Sequence, residues 1–327
     1  MSSTSTTINQ PNAATTTIVM VLTIVCFALG AVSLIFNVII FTRRSLCREP
    51  CSVYFFWSSS FNLFIVYVLV PIRVLAFGYN IDISSYNNGV CKIINFVNYS
   101  SRAITCWLIV LACVDRFCHS STNATIRRMS SLKKARWGVG IVILSIMILY
   151  SHMLVYYGLS YTLNQFGNTV ATCNSQIGTY RTFIAFWFMA LYSLCPSFFM
   201  LLFGLLTLKN IRQHRQVVPT VAGTNQLVRR TDNQLLRMLI AQVLMVFIST
   251  LPYSIYLLYT GFTSNIQKDT LRITQENFAG RVTGSFINFA HTTSFYLYTL
   301  TGTVFRKEFH RIVLRCCHPT RDIVSTT

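Results

Sequence analysis

Two arginines stand within one long apolar stretch, where a charged side chain needs a partner. Arg116 follows Asp115 in the segment LACVDRFCHS, and Arg102 lies fourteen residues before it. Steps of three and four residues connect Asn98, Arg102 and Arg116, so a helix would place all three on one face. Along that helix Arg102 would lie about 21 Å from Arg116. Because a guanidinium is costly to insert into lipid, each arginine is a candidate for binding a carboxylate or another anion.

The elements that must position these arginines are membrane-spanning helices. Of 327 residues 53% are hydrophobic and only 11% are charged, whereas a soluble domain has about 25% charged residues. Seven apolar blocks are long enough to cross a bilayer. We number these blocks span one to span seven: 18–41, 53–77, 91–114, 138–157, 183–208, 235–259 and 280–304. The sequence therefore predicts an all-α membrane protein, with an N-terminal tail over residues 1–17 and a seven-transmembrane-helix bundle over residues 18–304.

The distribution of basic residues predicts the orientation of the bundle. Residues 1–17 contain no Lys or Arg, whereas the loop after span one contains Arg43, Arg44 and Arg48. By the positive-inside rule the N-terminus is extracellular and the C-terminus is cytoplasmic. The net charge of +19 then indicates contact with anionic membrane lipids, rather than nucleic acid binding. We expect a multi-pass protein of the plasma membrane.

Two of the eleven cysteines fall on the predicted extracellular side. Cys91 begins span three, and Cys173 lies in the loop between spans four and five. Disulfides form in oxidising compartments, so we predict a bond between these two cysteines; the alternative is two unpaired thiols. The bond would hold the loop against the bundle.

Several residues occur at positions typical of one receptor family. Asp-Arg-Phe ends span three, and Cys91 precedes Arg116 by 25 residues. An asparagine in span one and prolines in spans two, five and six also fall in register: Asn37, Pro71, Pro196 and Pro252. Over residues 18–317 the chain resembles a rhodopsin-like (class A) G-protein-coupled receptor. Its ending SFYLYTLTGTVFRKEF is most similar to invertebrate neuropeptide-type receptors.

The resemblance implies a cell-surface receptor that activates a heterotrimeric G protein when spans three and six move apart. Asp232 begins span six, twenty residues before Pro252, and matches the acid that pairs with Arg116 in the inactive state of the family. The alternative is that Arg116 extends to lipid headgroups while Asp232 caps span six. The residues implied in this latch and in coupling are Asp115, Arg116, Phe117, Asp232 and Tyr298.

After span seven, the segment FRKEFHRIVLRCC resembles the amphipathic cytoplasmic helix of the family, and we predict it over residues 305–317. Its predicted apolar face consists of Phe305, Phe309, Ile312 and Val313. Cys316 and Cys317 are then candidates for palmitoylation, and the alternative is two reduced thiols. Residues 318–327 would form a cytoplasmic tail.

Three family motifs depart from the usual pattern. The CWxP motif of span six reads Ser249-Thr250-Leu251-Pro252, and NPxxY of span seven reads SFYLY with only Tyr298 retained. Asn62 replaces the aspartate of the family's sodium site. A protein that keeps the receptor fold without coupling to a G protein therefore remains an alternative.

Arginines also converge at the extracellular side of the bundle. Asn98 stands where amine receptors have an aspartate, so an amine ligand is not expected. We predict a pocket for an anionic group, such as an acidic peptide or a lipid acid, because the planar guanidinium binds carboxylates at two points. The predicted ligand-binding residues are Arg73, Asn98, Arg102, Arg181 and Arg281. For the arginines at helix ends, the alternative is extension to lipid headgroups.

Other classes of membrane protein have less support in the sequence. A transporter or channel is the main competing class, but the inverted repeats that many transporters contain are not found. An enzyme is not expected, because the chain has no HExxH motif and no Ser/His/Asp spacing. His152 and His291 are more typical of hydrogen-bonded histidines within a bundle than of metal ligands. No cofactor is predicted.

Overall fold

The structure, a computed structural model, describes the backbone of residues 2–43, 46–79, 81–163, 169–217, 224–263, 266–301 and 303–317. Side chains are described for most of these residues. The side chains outside the description include those of residues 2–15, 162–170, 214–239 and 315–317.

The predicted seven-helix membrane bundle is confirmed. Spans one, three, four and six contain the helices Ser2–Phe41, Asn88–Ser120, Leu132–Tyr150 and Thr224–Phe262. Each of the other three spans is divided. Span two consists of Pro50–Phe64, Ile65–Leu69 and Val70–Gly78; span five of Thr179–Phe188, Met189–Leu194 and Cys195–Val217; span seven of Thr270–Thr292 and Ser294–Thr301.

Span three lies at the centre of the bundle. In the part of the chain that the structure describes, six helical segments are long and apolar enough to cross a membrane. In span three 72% of the most apolar stretch is buried, against 22–33% in the other five. Span three contacts spans two, four, five and six. A polar side chain on this helix therefore faces protein on nearly every side. Span seven is more polar, and its inner faces carry groups such as Asn288 and His291, both buried.

Spans two and five each contain one wider π-helical turn, Ile65–Leu69 and Met189–Leu194, close to a proline. Proline has no N–H and cannot donate the hydrogen bond of a regular helix, so a local change of pitch accommodates it. Within the span-five turn, the carbonyl of Leu191 accepts a hydrogen bond from Trp107 Nε1 at 2.9 Å. Span three thus satisfies a backbone group that lipid could not.

A two-stranded hairpin, absent from the all-helical prediction, lies between spans four and five. Strand β1, Tyr157–Leu163, pairs antiparallel with strand β2, Thr169–Ser175. Cys173 of β2 forms the predicted disulfide with Cys91, which is confirmed and fixes the hairpin to the start of span three. We call this side of the bundle the hairpin end.

The opposite side, the tail end, carries a helix at Thr303–Cys317, here called the tail helix. Phe305 and Ile312 of the predicted apolar face are buried. The ring of Phe309 lies 5.3 Å from that of Phe36 in span one. These residues pack on the bundle, and the side chain of Val313 lies outside the described residues.

The disulfide generates a stability prediction. Replacing Cys173 with serine should lower the free energy of unfolding, by about 4 kcal/mol or less, because the bond closes a long loop of the unfolded chain. Thermal unfolding of purified protein in detergent would measure the change. Cys47→Ser, at an exposed free cysteine, is the matched control and should leave the melting temperature unchanged. Equal melting temperatures for the two variants would contradict the prediction.

Candidate functional site

Arg102 is held in the bundle by two neutral amides. Its Nε donates to Asn98 Oδ1 at 3.1 Å, and its Nη2 donates to Asn288 Oδ1 of span seven at 2.9 Å. The residue is only 6% exposed, and its Nη1 is buried without a hydrogen-bond partner. The two asparagines therefore orient the guanidinium.

Among the described residues, the positive charge of Arg102 has no carboxylate partner. Within the part of the chain that the structure describes, the ion pairs join other arginines and lysines to Glu49, Glu276 and Glu308. Removing a charge from water costs several kcal/mol, and amide carbonyls compensate for only part of that. An anion bound beside the guanidinium would supply the missing compensation.

A cavity lies beside Arg102, with about 560 Å³ of space inside it and its opening. Its lining includes Arg73 of span two and Arg281 of span seven, together with Asn98 and Asn288. Four of the five predicted ligand-binding residues thus come together around one space. We call it the inner cavity. The fifth predicted residue, Arg181 near the start of span five, does not line it.

Aromatic rings from three helices form one wall of the inner cavity. The ring of Phe188 in span five lies edge-on to Tyr99 of span three at 5.6 Å and to Tyr253 of span six at 5.5 Å. Both contacts have the edge-to-face geometry that aromatic pairs prefer. A group that reaches Arg102 would therefore meet an apolar surface beside the charge.

A wider cavity of about 1230 Å³, here called the vestibule, lies towards the hairpin end. Arg73, Asn98 and Arg281 line both spaces, so the vestibule and the inner cavity adjoin at these three side chains, here called the neck. Cys173 and its neighbours in β2 also line the vestibule. The disulfide thus holds one wall of the entrance.

Two acids near this end, Asp82 and Glu276, accept hydrogen bonds from neighbouring residues. Asp82 accepts hydrogen bonds from the backbone N–H of Ser84 at 3.0 Å and from the hydroxyls of Ser84 and Ser85, each at 2.6 Å. Glu276 pairs with Lys268 at 2.6 Å and with Arg272 at 3.2 Å. Neither Lys268 nor Arg272 lines the two cavities, and neither does Glu276.

Below the inner cavity, a chain of buried polar side chains crosses from span five to span two. The Tyr192 hydroxyl lies 3.0 Å from His291 Nε2, and His291 Nδ1 lies 2.8 Å from Asn62 Oδ1. Because an amide oxygen only accepts, Nδ1 carries the ring proton and Nε2 accepts from Tyr192. Both ring nitrogens of His291 are therefore satisfied within the bundle, as expected for a histidine that binds no metal.

These hydrogen-bonded side chains lie where two family motifs are missing from the sequence. Asn62, in place of the sodium-site aspartate, is bonded by His291. Thr250, in place of the tryptophan, contacts the hydroxyl of Ser193 at 3.0 Å. The large side chain at this level is Tyr192, which is fully buried. Hydrogen bonds among uncharged groups thus connect spans two, five and seven.

At the tail end, Arg116 lies beside an acid that the sequence analysis did not consider. Its Nη2 is 3.6 Å from Glu49 Oε2, in the loop between spans one and two. The neighbouring Asp115 accepts a hydrogen bond from Ser130 at 2.8 Å. Asp232 lies in the helix of span six, but its side chain is outside the described residues. The structure therefore gives no geometry for the predicted Arg116–Asp232 pair.

The other predicted coupling residues pack among aromatic rings. Phe117 lies 5.7 Å from Phe203 of span five. Tyr298 is buried, with its ring 5.2 Å from Phe55 and 5.9 Å from Phe305 of the tail helix. The side chains of Cys316 and Cys317, the predicted palmitoylation sites, are not among those described.

One residue of the Arg102 site had a detectable sequence signal. Asn288 follows Arg281 by seven residues, two helical turns on the same face, so helical spacing in span seven indicates it. Glu49 had no such signal, because its approach to Arg116 depends on how a short loop packs under span three.

The hydrogen bonds among Tyr192, His291 and Asn62 lead to a second stability prediction. Tyr192→Phe keeps the ring but removes the hydroxyl, which leaves His291 Nε2 buried without its partner. An unsatisfied buried group of this kind costs about 1–3 kcal/mol, so the melting temperature should fall. Tyr86→Phe, at a residue that is 76% exposed, is the control. An unchanged melting temperature for Tyr192→Phe would show that the hydrogen bond contributes no net stability.

Comparison with known proteins assigns the family. The family model for the seven-transmembrane receptors of the rhodopsin family matches residues 34–290, well over half of the chain. No curated protein matches the sequence significantly. The matched range contains five complete spans, the Cys91–Cys173 disulfide and every residue that lines the vestibule. The chain therefore belongs to the rhodopsin family of seven-transmembrane receptors.

Proposed function

We propose that the chain is a plasma-membrane receptor that binds an extracellular anionic ligand at Arg102 and activates a heterotrimeric G protein. The observation that carries this proposal is the buried guanidinium of Arg102, which has no carboxylate partner among the described residues and lines a cavity next to the vestibule. A buried cation beside a cavity favours an anionic ligand, because the opposite charge compensates the cost of burying the cation.

The proposal places the hairpin end outside the cell. A disulfide on that side is consistent with an oxidising compartment. The loops at the tail end carry many basic residues, among them Arg127, Arg128, Lys133 and Lys134, as the positive-inside rule requires of a cytoplasmic face. The ligand would then enter through the vestibule from the extracellular medium.

Two classes of ligand carry the required anion: a peptide with an acidic side chain or terminus, and a lipid acid. The similarity of the C-terminal segment to invertebrate neuropeptide-type receptors supports a peptide. Arg73 and Arg281, at the neck above Arg102, would attract either class, because they add positive potential along the path.

For signalling, we propose that Arg116 is part of an ionic latch that restrains spans three and six. Asp232 is the proposed partner from span six, and Glu49 provides a second carboxylate close to Arg116. Separation of the spans would expose Arg116 and Phe117 to the G protein, while Tyr298 anchors the inner end of span seven. Palmitoylation of Cys316 and Cys317 would attach the tail helix to the membrane.

A ligand screen with matched variants tests the anion site. We expect a library of peptides and lipid acids to contain members that stimulate G-protein nucleotide exchange in membranes that contain the receptor. Arg102→Gln should abolish the response, or shift it to at least about 100-fold higher concentration, because a desolvated charge pair is lost. Arg272→Gln, which removes an arginine outside the cavities, should respond like the natural protein.

Two results would contradict the anion site. One is an unchanged dose–response curve for an Arg102→Gln protein that reaches the cell surface in normal amount. The other is activation by uncharged ligands alone. If no library member stimulates exchange while anions still bind in an Arg102-dependent way, the receptor fold is retained without coupling.

The latch predicts changes in basal activity. Asp232→Asn and Glu49→Gln should each raise ligand-independent nucleotide exchange, because each removes a carboxylate that restrains Arg116. We expect the smaller effect from Glu49→Gln, since its side chain is 45% exposed and exposed ion pairs are weak. Glu276→Gln, at the hairpin end, is the control. If Asp232→Asn leaves basal exchange at the control level, the latch between spans three and six is wrong.

A further inference from the structure

We infer that the ligand is a peptide with a free C-terminal carboxylate, which enters the vestibule with that end first and binds Arg102. The inference rests on the proposed anion site and makes it more specific. It selects a peptide over a lipid acid, and the chain terminus over an acidic side chain within the sequence.

The shape of the path favours a chain end. The vestibule is the wider of the two spaces, and it adjoins the smaller inner cavity at the neck formed by Arg73, Asn98 and Arg281. Arg102 and its bond to Asn288 cross from span three to span seven at this depth. An internal acidic residue would need two chain segments in the neck, whereas a terminal carboxylate needs only one.

The walls of the vestibule favour a peptide backbone over an alkyl chain. Many of the side chains around it carry amides or hydroxyls, each of which has hydrogen-bonding capacity for backbone N–H and C=O groups. These residues are Ser84, Asn95, Asn98, Thr172, Asn174 and Asn277. A fatty acid would cover the same groups with methylenes, which desolvates polar groups without replacing their hydrogen bonds.

Charge along the path gives the ligand a direction. Asp82 lines the vestibule but not the inner cavity, whereas Arg102 lines only the inner cavity. A carboxylate is therefore repelled near Asp82 and attracted at the deep end, and the N-terminal ammonium of a short peptide has the opposite preference. The bound peptide would extend from the ammonium near Asp82 to the carboxylate at Arg102.

The depth of the site sets the length of the inserted segment. Arg102 lies eleven residues after Cys91, where the disulfide holds the hairpin. That distance is about 16 Å along the helix, which an extended peptide of about five residues spans. The wall formed by Tyr99, Phe188 and Tyr253 lies beside the deep end, so the last residue should have an apolar or aromatic side chain.

The test is a binding selection with the full chain in lipid nanodiscs, which does not require signalling. Three probe pools are compared: random peptides about five residues long with a free carboxylate, the same peptides with a C-terminal amide, and long-chain fatty acids. Mass spectrometry measures what is retained by the natural protein and by Arg102→Gln. Arg281→Gln, at the neck, is a second variant in case Arg102→Gln does not fold, and Arg272→Gln is the matched control.

We expect free-acid peptides to be retained at least about ten-fold more than their amides, because the amide loses a charge-assisted hydrogen bond. This preference should disappear in Arg102→Gln, decrease in Arg281→Gln and persist in Arg272→Gln. The retained peptides should be enriched in apolar or aromatic C-terminal residues.

The other outcomes overturn the inference in distinguishable ways. Equal retention of acids and amides would refute binding of the chain terminus. Arg102-dependent retention of fatty acids alone would refute the peptide but leave the proposed anion site standing. If retention of every pool is independent of Arg102 and Arg281, both the inference and the proposed anion site are wrong.

Discussion

The free-energy cost of burying the guanidinium of Arg102 is the main physical constraint on the hairpin end of the molecule. Arg102 lies on span three, the most buried of the six apolar helices described, and is itself only 6% exposed. Its two asparagine partners fix its direction without neutralising its charge, and the nearby acids Asp82 and Glu276 are held by other groups. This geometry supports the proposed anion site, because the guanidinium is already oriented before a ligand binds.

Whether the sequence predicted a structural feature depends on the physical cause of that feature. Bilayer thickness imposes the length of apolar segments, so the seven spans were predictable, and helical periodicity placed Arg102 on the face of Arg116. The Cys91–Cys173 bond followed from topology. Contacts between segments distant in the chain did not follow, because packing sets them. These include Glu49 at Arg116 and the hairpin that carries Cys173.

The departures from the family motifs have structural substitutes in the described residues. The hydroxyl of Tyr192 and the ring of His291 connect spans five and seven to Asn62, at a level where the family tryptophan is replaced by Thr250. In span seven the helix is interrupted at Thr293 without a proline, and Ser294 accepts a hydrogen bond from Asn37 of span one at 3.1 Å. Cohesion of the bundle centre thus depends on hydrogen bonds between neutral groups, which sequence motifs do not reveal.

The π turns of spans two and five affect how this chain is aligned with its relatives. Each turn accommodates an additional residue, which rotates the helix on one side by about 100° relative to the other. Residues before Met189 therefore face a different direction from that obtained by projecting a regular helix back from Pro196. An alignment with a receptor whose span five is a regular helix must include a one-residue gap there. Without that gap, every side chain between the turn and the hairpin is compared with the wrong neighbour.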